Sequence, residues 1–147
     1  MEKKRYEISI HASPEKVWQT LWDLSRYQAW TSVFAEGSTV ETDDWREGSR
    51  VLFLDGKGNG MVSEVAANRP NELMSFRHLG TVKDGIQDLD SEETRKWAGA
   101  KEDYHLAADN GKTRLTVEMD ITDDFLEYFE NTWPKALARI KELAETN

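Results

Sequence analysis

Residues 122–145, TDDFLEYFENTWPKALARIKELAE, are the stretch that fixes how the rest of the chain is read. On a helical wheel Phe125, Leu126, Phe129, Trp133, Ala136, Leu137, Ile140, Leu143 and Ala144 gather within about a third of the circumference, the width of a core-facing stripe. Glu127, Lys135, Lys141 and Glu142 fall elsewhere on the wheel. Thr122 or Asp123 suits the N-cap, and acidic residues fill the first turn, where the helix dipole favours them. Pro134 has no N–H to give the carbonyl of residue 130, so the pattern predicts a two-part helix kinked near Trp133. Such a helix, with Phe125, Phe129 and Trp133 on one stripe, needs a large apolar surface to lie in.

The preceding sequence supplies that surface as strands. Ser38–Thr42, Ser49–Leu54, Gly60–Ala67, Glu72–Leu79, Glu102–Ala108 and Thr113–Ile121 alternate apolar and polar residues between turn signals. The turns are Arg46-Glu47-Gly48, Asp55-Gly56-Lys57-Gly58, Asn68-Arg69-Pro70-Asn71 and Asp109-Asn110-Gly111. Asn110-Gly111 suits a tight hairpin because both residues tolerate positive φ. Upstream, residues 4–11 (KRYEISIH) form a half-buried strand with Tyr6, Ile8 and Ile10 on one face. Ser13-Pro14-Glu15 then opens a short helix with Val17, Trp18, Leu21 and Trp22 as its apolar face. Ser25 suits the cap of a second helix that turns Tyr27 and Trp30 inward. The helix pair has a helix–turn–helix outline but lacks the basic surface that docking on DNA requires.

One segment interrupts the strands. Residues 80–100, GTVKDGIQDLDSEETRKWAGA, are polar and separate two strands that would otherwise form a hairpin. Asp90-x-x-Glu93 reads as a capping box for a short helix over 91–97 that ends at Trp97. A long connection carrying its own helix suits a functional cover. The order is strand, two short helices, six strands and one long helix, with no linker or repeat. It describes a single α+β domain over 1–147 in which a bent antiparallel sheet grips the C-terminal helix.

Composition narrows the function. A net charge of −9 and an isoelectric point near 4.9 exclude nucleic acid and anionic membrane surfaces as expected partners. Without cysteine, disulfides and thiolate chemistry are unavailable. No apolar run approaches the roughly 20 residues of a membrane span. The basic N-terminus MEKKRYEISI lacks the apolar core of a signal peptide, so a cytoplasmic location is expected. His11, His78 and His105 show no paired metal-ligand spacing, and neither a metal nor a cofactor is expected. No G-x-S-x-G elbow occurs. Gly56-Lys57-Gly58-Asn59-Gly60 leads into a strand rather than a helix and reads as a hairpin turn, not a phosphate loop. Asp43-Asp44 and Asp88 to Glu93 read as solvated acidic surface.

Across almost its whole length the chain resembles the START-like, or SRPBCC, superfamily. Within it, the chain is similar to the family of the C-terminal domain of the activator of the ninety-kilodalton heat-shock protein ATPase. The residues that carry the resemblance run in order. Ser13-Pro14-Glu15-Lys16-Val17-Trp18 and Trp30 are followed by Asp44-Trp45-Arg46-Glu47-Gly48-Ser49, Gly60-x-Val62, Glu64-Val65 and Glu72-Leu73. Gly111-x-Thr113-x-Leu115-Thr116-Val117 and Trp133-Pro134-x-Ala136-Leu137 complete the set. The resemblance implies the helix-grip fold of the birch-pollen-allergen type, with a cavity between sheet and long helix. Where the family often has glycine before the last-helix tryptophan, this chain has Thr132. Its 80–100 connection is also longer than the family's, implying a lid with Trp97 at the cavity mouth.

The expected ligand-binding residues are Trp30, Phe53, Phe76, His78, Trp97, Tyr104, Leu106, Val117, Met119, Phe129, Trp133 and Leu137. Every one of them also serves as ordinary core. His78 and Tyr104, if both inward, would orient one polar end of a ligand. Glu102 reads as a solvated residue at a strand end, the alternative being a buried carboxylate that needs a partner. His105, sharing a face with Asp103, reads as exposed.

Three functions follow from this reading. The first is non-catalytic binding of a small hydrophobic or amphipathic ligand, such as a lipid. The second, implied by the resemblance, is a stress-associated interaction module acting on a chaperone ATPase, with a chaperone or a second copy of the chain as partner. The third is a cyclase or hydrolase, which requires His78 and Glu102 within reach of each other.

Overall fold

The computed structural model describes residues 1–146. Its elements are β1 (Glu2–Ile10), α1 (Pro14–Trp22), α2 (Leu24–Thr31), β2 (Thr39–Thr42), β3 (Arg50–Leu54), β4 (Gly60–Arg69), β5 (Leu73–Lys83), β6 (Ile86–Asp88), α3 (Glu92–Arg95), β7 (Lys101–Asp109), β8 (Lys112–Ile121) and α4 (Asp123–Glu145). The strands form one antiparallel sheet in the order β1-β8-β7-β5-β4-β3-β2, with β6 paired to β5. Helix α4 packs on β1 and against α1 and α2, which gives the helix-grip architecture that the sequence pattern implied.

Local chemistry explains the elements. Ser13 caps α1 by accepting a hydrogen bond from the Lys16 amide, and Pro14 sits at the first helical position, where its missing N–H costs nothing. Asp23 both ends α1 and precedes α2, so Ser25 lies inside α2 and donates to the Asp23 carboxylate instead of capping. Tyr27 and Trp30 are buried as expected. Asn110 and Gly111, at φ 51° and 83°, make the tight β7–β8 turn.

The sheet's curvature has two visible sources. Strand β4 shifts register between Val62 and Ser63 and again between Val65 and Ala67, and such bulges bend a strand. Gly60 and Gly80 allow backbones to approach where a side chain would collide. A Cβ at Gly60 would lie 1.8 Å from the Phe53 carbonyl oxygen, and one at Gly80 would lie 2.2 Å from that of Asp88.

Helix α4 is one continuous element, Asp123–Glu145, with Pro134 inside it. Its expected stripe is buried at Trp133, Ala136, Leu137, Ile140 and Ala144 and partly buried at Leu126, Phe129 and Leu143, but Phe125 is 57% exposed.

The 80–100 segment also differs from its expected form. Strand β5 continues to Lys83 and turns back at Asp84-Gly85, φ 50° and 78°, into β6, a hairpin that adds an eighth strand. Helix α3 covers only Glu92–Arg95, and its cap is Ser91, which accepts from the Thr94 amide, rather than Asp90. Hydrogen bonds from Ser91 hold the Asp88 carboxyl below its ordinary range. The segment rejoins the sheet through bonds from the Gly99 amide to the His78 carbonyl and from the His78 amide to the Ala100 carbonyl. It therefore lies along β5.

Candidate functional site

The core is unusually rich in rings because the aromatic residues of α1, α2, β5 and β7 converge. Trp22 is at its centre, with ring centroids 4.9 Å from Tyr104, 5.0 Å from Trp45 and 5.5 Å from Phe76. Trp30 stands 6.1 Å from Trp133, joining this cluster to α4. These distances and tilted planes are those favoured by aromatic quadrupoles.

Beside the cluster lies a groove of about 500 Å³. Its walls are α2 and the turn after it, the β3–β4 hairpin, the inner faces of β7 and β8, and the first turns of α4. Of the residues expected from sequence, Trp30, Phe53, Tyr104, Met119, Phe129 and Trp133 line it. Phe76, His78, Leu106, Val117 and Leu137 are buried in the core and do not line it. Trp97 is half-buried on the 80–100 segment, none of whose residues line the groove, so that segment is not its lid.

The mouth is instead framed by residues outside the expected set. Phe34 lies 5.0 Å from Trp133 and 6.3 Å from Phe129, and its carbonyl accepts a hydrogen bond from the Tyr128 hydroxyl. Phe125 and Tyr128 are exposed at this rim. The missed wall has a sequence signal: Tyr27, Trp30, Thr31 and Phe34 recur at helical spacing, a face that continues past the end of α2. A second hollow of about 330 Å³, lined by Trp22, Leu24, Val40, Glu41, Thr42 and Trp45, is smaller and has no comparable polar network.

One chain of polar groups reaches the groove. Strand alternation turns His78 on β5 and Glu102 and Tyr104 on β7 to the same side. The bulge in β4 brings Ser63 to them. Ser63 Oγ lies 2.7 Å from His78 Nδ1, His78 Nε2 lies 3.2 Å from Glu102 Oε1, and the Tyr104 hydroxyl donates to Glu102 Oε2 at 2.5 Å. Glu102 is thus a largely covered carboxylate with partners, not a solvated strand end; its side chain is 17% exposed. His78 itself does not reach the groove, whereas Glu102 and Tyr104 line it.

Ser63 is fully buried and His78 Nδ1 is the partner of its hydroxyl, an arrangement that fits a serine donating to Nδ1 with the ring's Nε2–H turned to Glu102. Burial, followed by the Glu102 charge, pushes the Tyr104 hydroxyl well above its ordinary pKa, and the same two causes raise Tyr27. His105 is exposed, 3.6 Å from Glu118, as its position on the outer face implied. Among the described residues no cluster of three or more His, Asp or Glu is arranged to hold a metal ion, and no helix is long and apolar enough to cross a membrane.

Comparison with known proteins bears on the fold and the family. No curated protein matches the chain in sequence. Among solved structures it is similar to the Aha1 dimer from Colwellia psychrerythraea, at 21% identity and TM-score 0.73, over 99% of this chain and 97% of that one. It is also similar to DynU16, a protein of the dynemicin biosynthetic locus, at 17% identity and TM-score 0.73; the alignment covers 99% of this chain but only 48% of DynU16. CalU16 from Micromonospora echinospora aligns at 14% identity and TM-score 0.67, over 97% of this chain and 75% of that one. At these identities the likeness is one of fold. The family model for polyketide cyclase/dehydrase and lipid transport matches residues 1–145. That match, over a chain with the START-like fold, assigns it: the chain belongs to the polyketide cyclase/dehydrase and lipid transport family of the SRPBCC superfamily.

Proposed function

We propose that this protein binds a small, mainly apolar ligand in the groove between the sheet, α2 and the first turns of α4, without converting it chemically. The observation that carries this reading is an open groove of about 500 Å³ walled by Trp30, Phe34, Phe53, Phe129 and Trp133, with its polar groups converging at Glu102 and Tyr104. Volumes of roughly 300–1,000 Å³ with a few placed polar groups are typical of small-molecule sites. A ligand that buries about 200 Å² of apolar surface would gain on the order of 5 kcal/mol before association costs. The family's description, which includes polyketide and lipid chemistry, supports the same ligand class. The polar end of the ligand meets Tyr104 and Glu102, with His78 holding Glu102 from behind.

The neutral probe N-phenyl-1-naphthylamine tests the proposal. It should bind saturably, near one per chain, with quenching of tryptophan emission. Ala35→Trp, which adds bulk to the groove wall, should weaken that binding at least tenfold while the circular dichroism spectrum is retained. Absence of saturable binding by this probe and by a panel of lipids and aromatic polyketides would overturn it.

A second reading is favoured by one distance, the 3.2 Å between His78 Nε2 and Glu102 Oε1, which backs a groove-lining carboxylate with an imidazole within proton-transfer reach. Turnover of a polyketide-type substrate that disappears in Glu102→Gln would move the assignment to catalysis. The interaction-module reading rests on the fold likeness to Aha1 alone, and the groove has no part in it.

A further inference from the structure

The groove contains carboxylates but no ammonium or guanidinium group. Among its lining residues Glu102 and Asp55 are acidic, and none is Lys or Arg. Asp55 lies at the β3–β4 turn, where bonds from the Lys57 and Asn59 amides hold its carboxyl below the ordinary range. Glu102 lies deeper. Its two oxygens are met by the His78 imidazole and the Tyr104 hydroxyl, and among the described residues no Lys or Arg forms an ion pair with it. The basic side chain next to it in sequence, Lys101, pairs with Asp103 instead, 3.8 Å away. A partly desolvated carboxylate without a counter-charge costs free energy that an incoming cation returns.

The walls around this carboxylate suit the same partner. Trp30 and Tyr104 line the groove with centroids 6.3 Å apart, and Tyr27 and Phe53 line it 6.5 Å apart. These rings pack on one another and give the carboxylate apolar surroundings of low dielectric, in which an incoming opposite charge is attracted more strongly than in water. Each carboxylate oxygen also retains acceptor capacity beyond the single bond already made, whereas a ligand carboxylate would meet like charge.

We infer that the groove selects ligands whose polar end is a protonated amine, an ammonium amphiphile, with Glu102 as the counter-ion and the surrounding rings as the apolar wall. This rests on the ligand-binding reading above and narrows it: fatty acids and other anionic amphiphiles are disfavoured.

The test uses three probes of matched shape, 4-phenylbutylamine, 4-phenylbutanol and 4-phenylbutyrate, titrated by calorimetry near neutral pH and at physiological salt. Long-range attraction to the net charge of −9 is then largely screened. The amine is expected to bind at least tenfold tighter than the alcohol, and the carboxylate weakest. Glu102→Gln should bring the amine to within about threefold of the alcohol, both measured on the variant. Asp55→Asn, at the rim, should change the preference little. Equal affinity for amine and alcohol, tighter binding of the carboxylate, or a preference untouched by Glu102→Gln would overturn the inference and leave the ligand-binding reading intact. No binding of any of the three, together with failure of the neutral naphthyl probe, would overturn both.

Discussion

Replacing Ser63 by alanine isolates the buried contact at the far end of the polar chain that reaches the groove. Ser63 is fully buried, and its hydroxyl donates to His78 Nδ1 at 2.7 Å. Removing the oxygen leaves a ring nitrogen inside the protein with a lone pair and no donor. Protonating that nitrogen does not help, because the new N–H would have no acceptor. An unsatisfied buried acceptor costs about 1–3 kcal/mol. For a chain of this size each kcal/mol lowers the melting temperature by about 2–4 °C, so the expected loss is about 2–12 °C. Urea titration should show a lower midpoint with an unchanged slope, meaning that stability has changed and not the extent of unfolding. The exposed Ser9→Ala serves as control and should stay within about 0.5 kcal/mol of the parent. Imidazole 15N shifts read the tautomer directly and should show His78 Nδ1 as the acceptor. A Ser63→Ala protein as stable as the parent, or a proton found on Nδ1, would refute this hydrogen-bond assignment.

Other outcomes follow from the same structure. Tyr6 is pushed up to about 12, chiefly by burial, and Tyr27 and Tyr104 are raised as well, so the folded state holds these protons where the unfolded chain releases them. Their stabilisation is complete below about pH 10 and is lost as pH rises above it, at about 1.4 kcal/mol per pH unit for each tyrosine. Tyr27→Phe should reduce that alkaline slope in pH-dependent denaturation, and an unchanged slope would contradict the assignment. Gly60→Ala, which puts a Cβ against the Phe53 carbonyl, should cost at least about 2 kcal/mol more than Gly111→Ala, where only the positive φ of 83° is strained; equal melting temperatures would show that the β3–β4 approach can relax. Pro134 is exposed and interior to α4, so Pro134→Ala restores a helical donor and should stabilise by about 1–3 kcal/mol in thermal denaturation. A loss of stability there would mean that the proline's shape is needed to seat Trp133.

The architecture was legible because its signals are local. The stripe of α4, the alternation of Leu115, Val117, Met119 and Ile121 and the Ser13-Pro14 start each depend on neighbours within a turn or a strand, where side-chain direction follows directly from backbone period. Even the missed β5–β6 hairpin had such a signal in Asp84-Gly85, hidden by the polar residues around it. Half of the expected groove residues fall in the right place for the same reason, since period 2 assigns Tyr104 and Met119 to the inner face.

Depth along that inner face is different, because it depends on which elements stack above each residue. Phe76 and Tyr104 share a face, yet Tyr104 lines the groove and Phe76 lies beneath Phe53 and Trp22. Trp97 carried the right chemistry for a lid, but backbone pairing of residues 81–83 with 86–88 and the bonds at His78 lay its segment along β5. Glu102 reads as a solvated strand end until a bulge one register away in β4 places Ser63 behind His78, and His78 behind Glu102. From its own residues the chain determined that a curved sheet would grip its last helix and surround it with rings. Only the tertiary structure decided where the rings stop short of filling the interior, and that a negative charge lines that space. Fold is set by periodicity along the chain, whereas a cavity and its electrostatics are set by contacts between residues far apart in it.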